Sequence, residues 1–400
     1  MGEAAPVHSE IRAPATVVTR LQLTGFRNYK TLSLSLQPRH VVLTGPNGAG
    51  KTNLIEAISL LSPGRGLRRA TAEDLINRAA ENSLSQGYAV FAALETPEDT
   101  FDVGTGVDGA DAEGRGRKVR INGTAARAAD ELLDLCRVIW LTPAMDGLFI
   151  GAASDRRRFI DRMVLAIDPA HGRRANDFER ALRQRNRLLE DARSSVSNNA
   201  WLDGIETELA RLAAGMSAAR SELVALLAAI VETQTNDSAS FPTGQLALRG
   251  ELETMLADTG DTSAAATETI YARTLRDMRH RDQAAKRTLI GPHRSDLDVR
   301  HVQKDIEAAL CSTGEQKALL IGLVLSHGAL TRQVSGHAPI MLFDEIAAHL
   351  DETRRAALFA RIDAIGGQAF MTGTDRNLFD ALGARGQRLR VDAGTVARDD

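Results

Sequence analysis

Cysteine is nearly missing from this 400-residue sequence: Cys136 and Cys311 stand alone, with no C-x-x-C pair and no His-x-x-x-His beside them. That argues against a disulfide framework and a cysteine zinc site, and it fits a reducing cytosol. Long apolar runs are missing too. No stretch approaches about 18 uninterrupted apolar residues, and Met1 to Thr19 lacks the basic start and apolar run of a secretory leader. The reading is a soluble, cytoplasmic protein without a membrane span. Excess charge is absent as well. At a formal net charge of −3, composition gives no hint of nucleic acid, so any polyanion must be met by local basic faces.

Such faces exist. Arg156, Arg157, Arg158 and Arg162 are followed by Arg173, Arg174, Arg180, Arg183, Arg185 and Arg187; a second cluster holds Arg273, Arg276, Arg279, Arg281, Lys286 and Arg287. They read either as solvated helix faces paired with interspersed acids or as contacts for phosphate.

The apolar fraction of 43% supports two packed domains, or one domain carrying a large insertion. Residues 1–16 read as a loose tail. Val17 to Leu36 alternates like two strands broken at Gly25–Tyr29, and His40 to Thr44 is an apolar strand entering a glycine-rich turn and a helix over Thr52–Leu61. Gly104 to Gly116 reads as hairpins or a surface loop, and Val138 to Leu141 as a short buried strand. Beyond Pro143 the pattern is helical. Leu202, Ile205, Leu209, Leu212, Met216, Ala219, Leu223, Leu226 and Ile230 step three and four without a break, the seam of a coiled-coil-like arm roughly 40 Å long. Phe178–Ala192 or Ile270–Leu289 could partner it, or the helix docks on the body. Thr233–Thr243 is a polar loop. Strand character returns near Thr288–Gly291, a strongly apolar helix follows over Glu315–Leu330, and Ile340–Phe343 and Gln368–Thr372 are buried strands. No internal repeat is evident. The predicted organisation is an α/β body over 17–142 and 288–397, interrupted by a helical lobe over 143–287.

Gly45-Pro46-Asn47-Gly48-Ala49-Gly50-Lys51-Thr52 fits G-x-x-x-x-G-K-[ST] with a strand before it and a helix after it. Glycines let backbone N–H groups curl around phosphates at a helix N-terminus, where the dipole favours negative charge. Lys51 is placed to reach the β- and γ-phosphates of ATP, and the Thr52 hydroxyl to coordinate Mg²⁺. In Ile340-Met341-Leu342-Phe343-Asp344-Glu345 an apolar strand ends in two acids, which sets Asp344 near the magnesium and Glu345 near an attacking water.

Cys311-Ser312-Thr313-Gly314-Glu315-Gln316-Lys317 resembles the signature motif of ABC ATPases, while Ser312 and Glu315 also spell a capping box. Ala347-Ala348-His349-Leu350-Asp351 resembles the D-loop of that class. The order of P-loop, long insertion, signature and acidic strand marks the ABC class among P-loop proteins. An ABC-type signature tip meets the γ-phosphate held by the opposite subunit, so the resemblance implies an ATP-dependent homodimer.

The chain further resembles the RecF family through Leu23–Tyr29, Gly50–Ile58, Pro143–Phe149 with Arg156–Asp161, Gly291–Leu297 and Phe370–Asp375. This similarity runs from about Val17 to Val396. It implies a two-lobed ATPase head, DNA binding at single-strand/double-strand junctions or gaps, and work with RecO and RecR in loading recombinase. It also implies parts in replication and the SOS response, with slow ATP hydrolysis. Residue by residue, it assigns nucleotide to Gly45–Thr52, magnesium to Thr52 and Asp344, the hydrolytic base to Glu345, and the trans contact to Ser312 and Gly314. The chain departs from the family's pattern at Glu315, often Gln, and at His349, often an acid. Transporter ATPases have His after the last strand, where this chain has Thr372-Gly373-Thr374. Another ABC-type protein, an SMC-like DNA scaffold or a transporter energy subunit, is the competing reading.

Overall fold

Two kinds of strand in the sequence build two kinds of sheet. Strands that alternate in burial build one sheet, antiparallel throughout; strands apolar throughout, covered on both faces, form the parallel centre of the other. The computed structural model describes residues 15–77, 87–108, 117–190, 196–233, 241–348 and 350–399. The tail to residue 14, the 109–116 part of the glycine-rich stretch, the 234–240 part of the polar loop and His349 lie outside the described residues.

The first unit gathers residues 1–146, 237–241 and 320–400. Its alternating strands are β1 (Val17–Phe26), β2 (Tyr29–Ser35), β4 (Tyr88–Glu95), β5 (Thr100–Val107), β6 (Lys118–Ile121) and β7 (Thr124–Ala125). They form one antiparallel sheet in the order β2-β1-β4-β5-β6-β7. Part of the glycine-rich stretch is therefore strand. Gly106 sits where a Cβ would fall 2.2 Å from the Tyr88 carbonyl oxygen, so the side chain is excluded by the neighbouring strand.

The second sheet runs β15-β14-β3-β13-β12-β8, from β3 (His40–Thr44), β8 (Val138–Leu141), β12 (Ile340–Phe343), β13 (Ala369–Gly373), β14 (Gly386–Asp392) and β15 (Thr395–Arg398). Every residue of β3, β12 and β13 is buried. All pairings except β14 with β15 are parallel. One apolar cluster joins both sheets to Leu54, Ile55 and Ile58 of the helix Lys51–Ser59. Between the sheets, the buried Gln368 amide accepts from the Val18 N–H at 2.8 Å and donates to the carbonyls of Val18 and Gln37.

Residues 147–236 and 242–319 make the second unit. It extends past 287, the boundary expected from the sequence. Residues 288–290 form no strand, and the chain next pairs as β10 (Asp296–His301) in a separate small sheet, β11-β10-β9, with β9 (Gly244–Arg249) and β11 (Ile306–Glu307). The seam residues lie on one helix, Val196–Thr233. Both candidate partners pack on it: Phe178 and Ala181 from His171–Glu190, and Tyr271 and Leu275 from Ala264–Asp277, share a core with Leu209, Leu212 and Met216. Both expected partners share this helix, which is the spine of a helical cluster over this stretch.

By length and composition Asn199–Val231 passes as a membrane span. Its buried Glu206 and Arg220, however, are ion-paired to Arg185 and Asp161. A polar pair of this kind belongs to a protein core.

Candidate functional site

The phosphate loop leaves the C-terminal end of β3 and enters the helix Lys51–Ser59. Gly45 (φ 146°) must be glycine because a Cβ there would lie 2.1 Å from the Val391 carbonyl oxygen. Gly50 (φ 115°) caps the helix, and a Cβ on it would lie 2.5 Å from the Asn28 side chain and 2.7 Å from the Tyr29 hydroxyl. Those two residues hold the loop from behind. The Tyr29 hydroxyl donates to the Gly50 carbonyl at 3.1 Å, and the Asn28 amide donates to the Ala49 carbonyl at 3.2 Å. Deeper in, the carboxylate of Glu56 is fully buried and bridged by Arg27 at 2.9 Å. The helix has no side-chain cap and no acid in its first turn. Its leading N–H groups are thus left to an anion.

Lys51 is buried, and its ammonium donates to the carbonyls of Gly45 (2.7 Å) and Pro46 (2.9 Å). Burial lowers its pKa, while the nearby carboxylates of Glu345 and Asp344 work in the opposite direction. The acids come from β12, two strands away, and β13 lies between. Across 292 residues of sequence, Thr52 and Asp344 meet: the Thr52 hydroxyl donates to Asp344 Oδ1 at 3.0 Å. Thr372, at the end of β13, donates to the same oxygen at 2.7 Å. Its oxygen in turn accepts from the backbone N–H of Glu345 at 3.0 Å. Glu345 stands at φ 52°, a left-handed conformation that a non-glycine residue adopts only when its surroundings impose it.

Lys51, Thr52, Asp344 and Glu345 therefore converge at the C-terminal ends of neighbouring parallel strands, where open α/β sheets place ligands. Three contributors have no role in the motif reading: Thr372, Asn28 and Tyr29. Their stretches carry the family resemblance, but no spacing rule marks them, because their partners lie on other elements.

Ser312 and Gly314 belong to the second unit. The capping box is formed. Ser312 donates from its backbone N–H (3.0 Å) and its hydroxyl (2.9 Å) to the Glu315 carboxylate, at the start of the helix Thr313–Ser335. Lys304 pairs with the same carboxylate, and together these donors hold its pKa down at about 2. Just before it, Leu310 is 74% exposed.

The arginines divide sharply. Arg156 is committed to a carboxylate: it grips Asp296 with two 2.8 Å bonds and donates to the Gly151 carbonyl at 2.7 Å. Arg157 donates to the Ser295 carbonyl, and Arg158 pairs with Asp155. Arg185 is fully buried among Glu206, Asp282, Thr288 and the Leu275 carbonyl. The fully buried Arg185 is thereby removed from the list of phosphate contacts that the sequence suggests, and Arg156 is already paired. Arg180 and Arg183 keep exposed side chains on the helix His171–Glu190, beside Asp177 and Glu179.

Residues 17–390 match the family described as RecF/RecN/SMC N terminal domain. The DNA replication and repair protein RecF of Rhizobium rhizogenes is 57% identical over 381 residues, which cover 95% of this chain and 98% of that protein. Its counterpart from Rhizobium meliloti is 56% identical over 380 residues, again 95% and 98%. Among solved structures, the recombination mediator protein RecF-ATPrS of the RecFOR pathway has the same fold. Its TM-score is 0.81 at 19% identity, covering 98% of this chain and all of that one.

Proposed function

The chain belongs to the RecF family of DNA replication and repair proteins, and on that premise we propose that it is an ATP-dependent, cytoplasmic DNA-repair protein. In this reading ATP joins two copies into a dimer that holds gapped DNA or single-strand/double-strand junctions. The dimer assists recombinase loading with RecO and RecR, in replication and in the SOS response. The observation that carries the reading is the convergence of Lys51, Thr52, Asp344 and Glu345 beside an uncapped helix start.

Gly45–Thr52 binds the phosphates of ATP through backbone N–H groups, and Lys51 exchanges its two loop carbonyls for phosphate oxygen. Magnesium fits the pair formed by the Thr52 hydroxyl and the Asp344 carboxylate, since both supply hard oxygen donors. Among the described residues no cluster of three or more His, Cys, Asp or Glu could cage a metal. A site with so few protein ligands suits an ion that arrives with nucleotide; its chemistry is to neutralise phosphate charge. The Thr52 proton already points at Asp344, which leaves the hydroxyl lone pairs for the cation. Glu345 acts as the base that takes a proton from water, in a slow hydrolysis that resets the dimer.

Ser312 and Gly314 form the second half-site, which meets the γ-phosphate held by the other copy. The exposed Leu310 beside them suits a surface that is covered on assembly. DNA phosphates fall to exposed arginines such as Arg180 and Arg183, in contacts that read charge and not sequence.

The test is binding to gapped and blunt duplexes with and without ATP, while sedimentation follows the oligomeric state. Dimerisation with ATP and tighter binding to the gapped duplex are expected. Equal binding to both duplexes by a monomer at all ATP concentrations contradicts the reading. Glu345→Gln then separates a hydrolysis-driven clamp from a scaffold that needs ATP binding alone. It stops turnover in both cases, and only the scaffold keeps its cellular repair function.

A further inference from the structure

We infer that Thr372 is a positioning residue of this site, one hydroxyl that fixes both acids at once. The inference rests on the nucleotide reading above and goes beyond it to a residue that no motif assigns.

Thr372 is fully buried at the end of β13, the strand wedged between the loop-bearing β3 and the acid-bearing β12. A hydroxyl has one proton to give and lone pairs to receive with. Here the two roles are divided between neighbours in sequence. The proton goes to Asp344 Oδ1 at 2.7 Å, and the oxygen takes the N–H of Glu345 at 3.0 Å. The direction is forced, because a carboxylate oxygen cannot donate and a backbone N–H cannot accept.

Two consequences follow. Asp344 is held in place by two hydroxyls, Thr52 from the phosphate loop and Thr372 from the sheet, so its orientation does not depend on Thr52 alone. Glu345, meanwhile, has its backbone pinned in a left-handed conformation (φ 52°) by the bond its N–H makes to Thr372. That conformation sets where the carboxylate of a base is aimed. Loosening one threonine therefore slackens the cation ligand and re-aims the base, while the phosphate loop itself is untouched.

Valine is the discriminating substitution, because it has the shape of threonine and lacks the hydroxyl. Serine restores the hydroxyl. For Thr372→Val in the full-length protein, single-turnover hydrolysis falls by roughly ten- to a hundredfold, the scale of a base misplaced by about an ångström. The KM for ATP stays within about twofold, and half-saturating magnesium rises. Thr372→Ser recovers at least a third of the wild-type rate. Lys51→Ala, run alongside, loses nucleotide binding if the site is what we propose.

If Lys51→Ala binds and hydrolyses ATP like the wild type, the nucleotide reading itself is wrong. If Lys51→Ala fails as expected but Thr372→Val matches the wild type in rate and magnesium dependence, the positioning role is refuted. A fall in melting temperature with equal losses by the valine and serine variants also refutes it, since packing alone would then explain the threonine.

Discussion

Charge is handled in opposite ways at the phosphate loop and in the helical unit. Where the loop meets the acids, charged groups are held by neutral partners: Lys51 by two carbonyls, Asp344 by two hydroxyls, Glu345 through its backbone; the Arg27–Glu56 ion pair stands behind the loop. Neutral partners can be exchanged for phosphate or a cation without leaving an opposite charge stranded. In the helical unit, Arg185 faces Glu206 and Asp282, Arg156 faces Asp296, and Arg220 faces Asp161. Ions matched in that way are committed to the fold, because removing either partner strands the other in the core. A cationic side chain is available for a ligand where its own partner is weak.

That contrast can be pressed hardest at Arg185. Replacing it with Met leaves the buried Asp282 without its charged partner and Glu206 with Arg279 alone, and a loss of about 3–5 kcal/mol in unfolding free energy is expected. Denaturant titration measures it. A loss below about 1 kcal/mol would mean the network is not committed to the fold.

The exposed arginines should behave in the reverse manner. Arg180→Gln with Arg183→Gln is expected to leave stability within about 0.5 kcal/mol, since surface pairs contribute little. It should lower DNA affinity and reduce the slope of log K against log salt by about 2, if each contacts one phosphate. An unchanged slope excludes both as phosphate contacts.

A smaller effect tests the neutral-partner rule at the root of the loop strand. His40, at the start of β3, accepts the Ala369 N–H on Nδ1 and faces Asp363 from Nε2, so it is neutral with its proton on Nε2. Burial pushes its pKa down to about 4. The unfolded chain takes up a proton near the ordinary value of about 6.5, before the folded one does. Stability is therefore complete above that pH and is lost as pH falls from there toward 4. The thermal midpoint should drop over this window, and less steeply in His40→Gln. Identical slopes in the two proteins would remove His40 from the explanation.

Backbone-defined features were the legible ones. The glycines, the lysine and the strand ending in Asp344 and Glu345 are fixed by local conformation, and β3, β8 and β12 fall on the stretches read as strands. Partners chosen by packing were not legible. Arg156 and Asp296 lie 140 residues apart, and Arg185 and Asp282 lie 97 apart, so the arginine runs look alike until the chain is folded. Thr372 was hidden for the same reason. Thr288–Ile290 has strand composition yet forms no strand, and the chain pairs again only from Asp296. The seam from Leu202 to Ile230 was correctly periodic, yet periodicity cannot tell how many neighbours share a helix face.

Assembly from two half-sites is tested most directly by mixing two broken proteins. Lys51→Ala lacks the phosphate partner and Ser312→Arg blocks the signature tip; sedimentation with ATP should find each a monomer on its own. Mixed in equal amounts they can form one intact composite site, and a dimer should appear, at higher concentration than for the wild type. A mixture that stays monomeric, or a Ser312→Arg protein that dimerises alone like the wild type, would contradict assembly in trans.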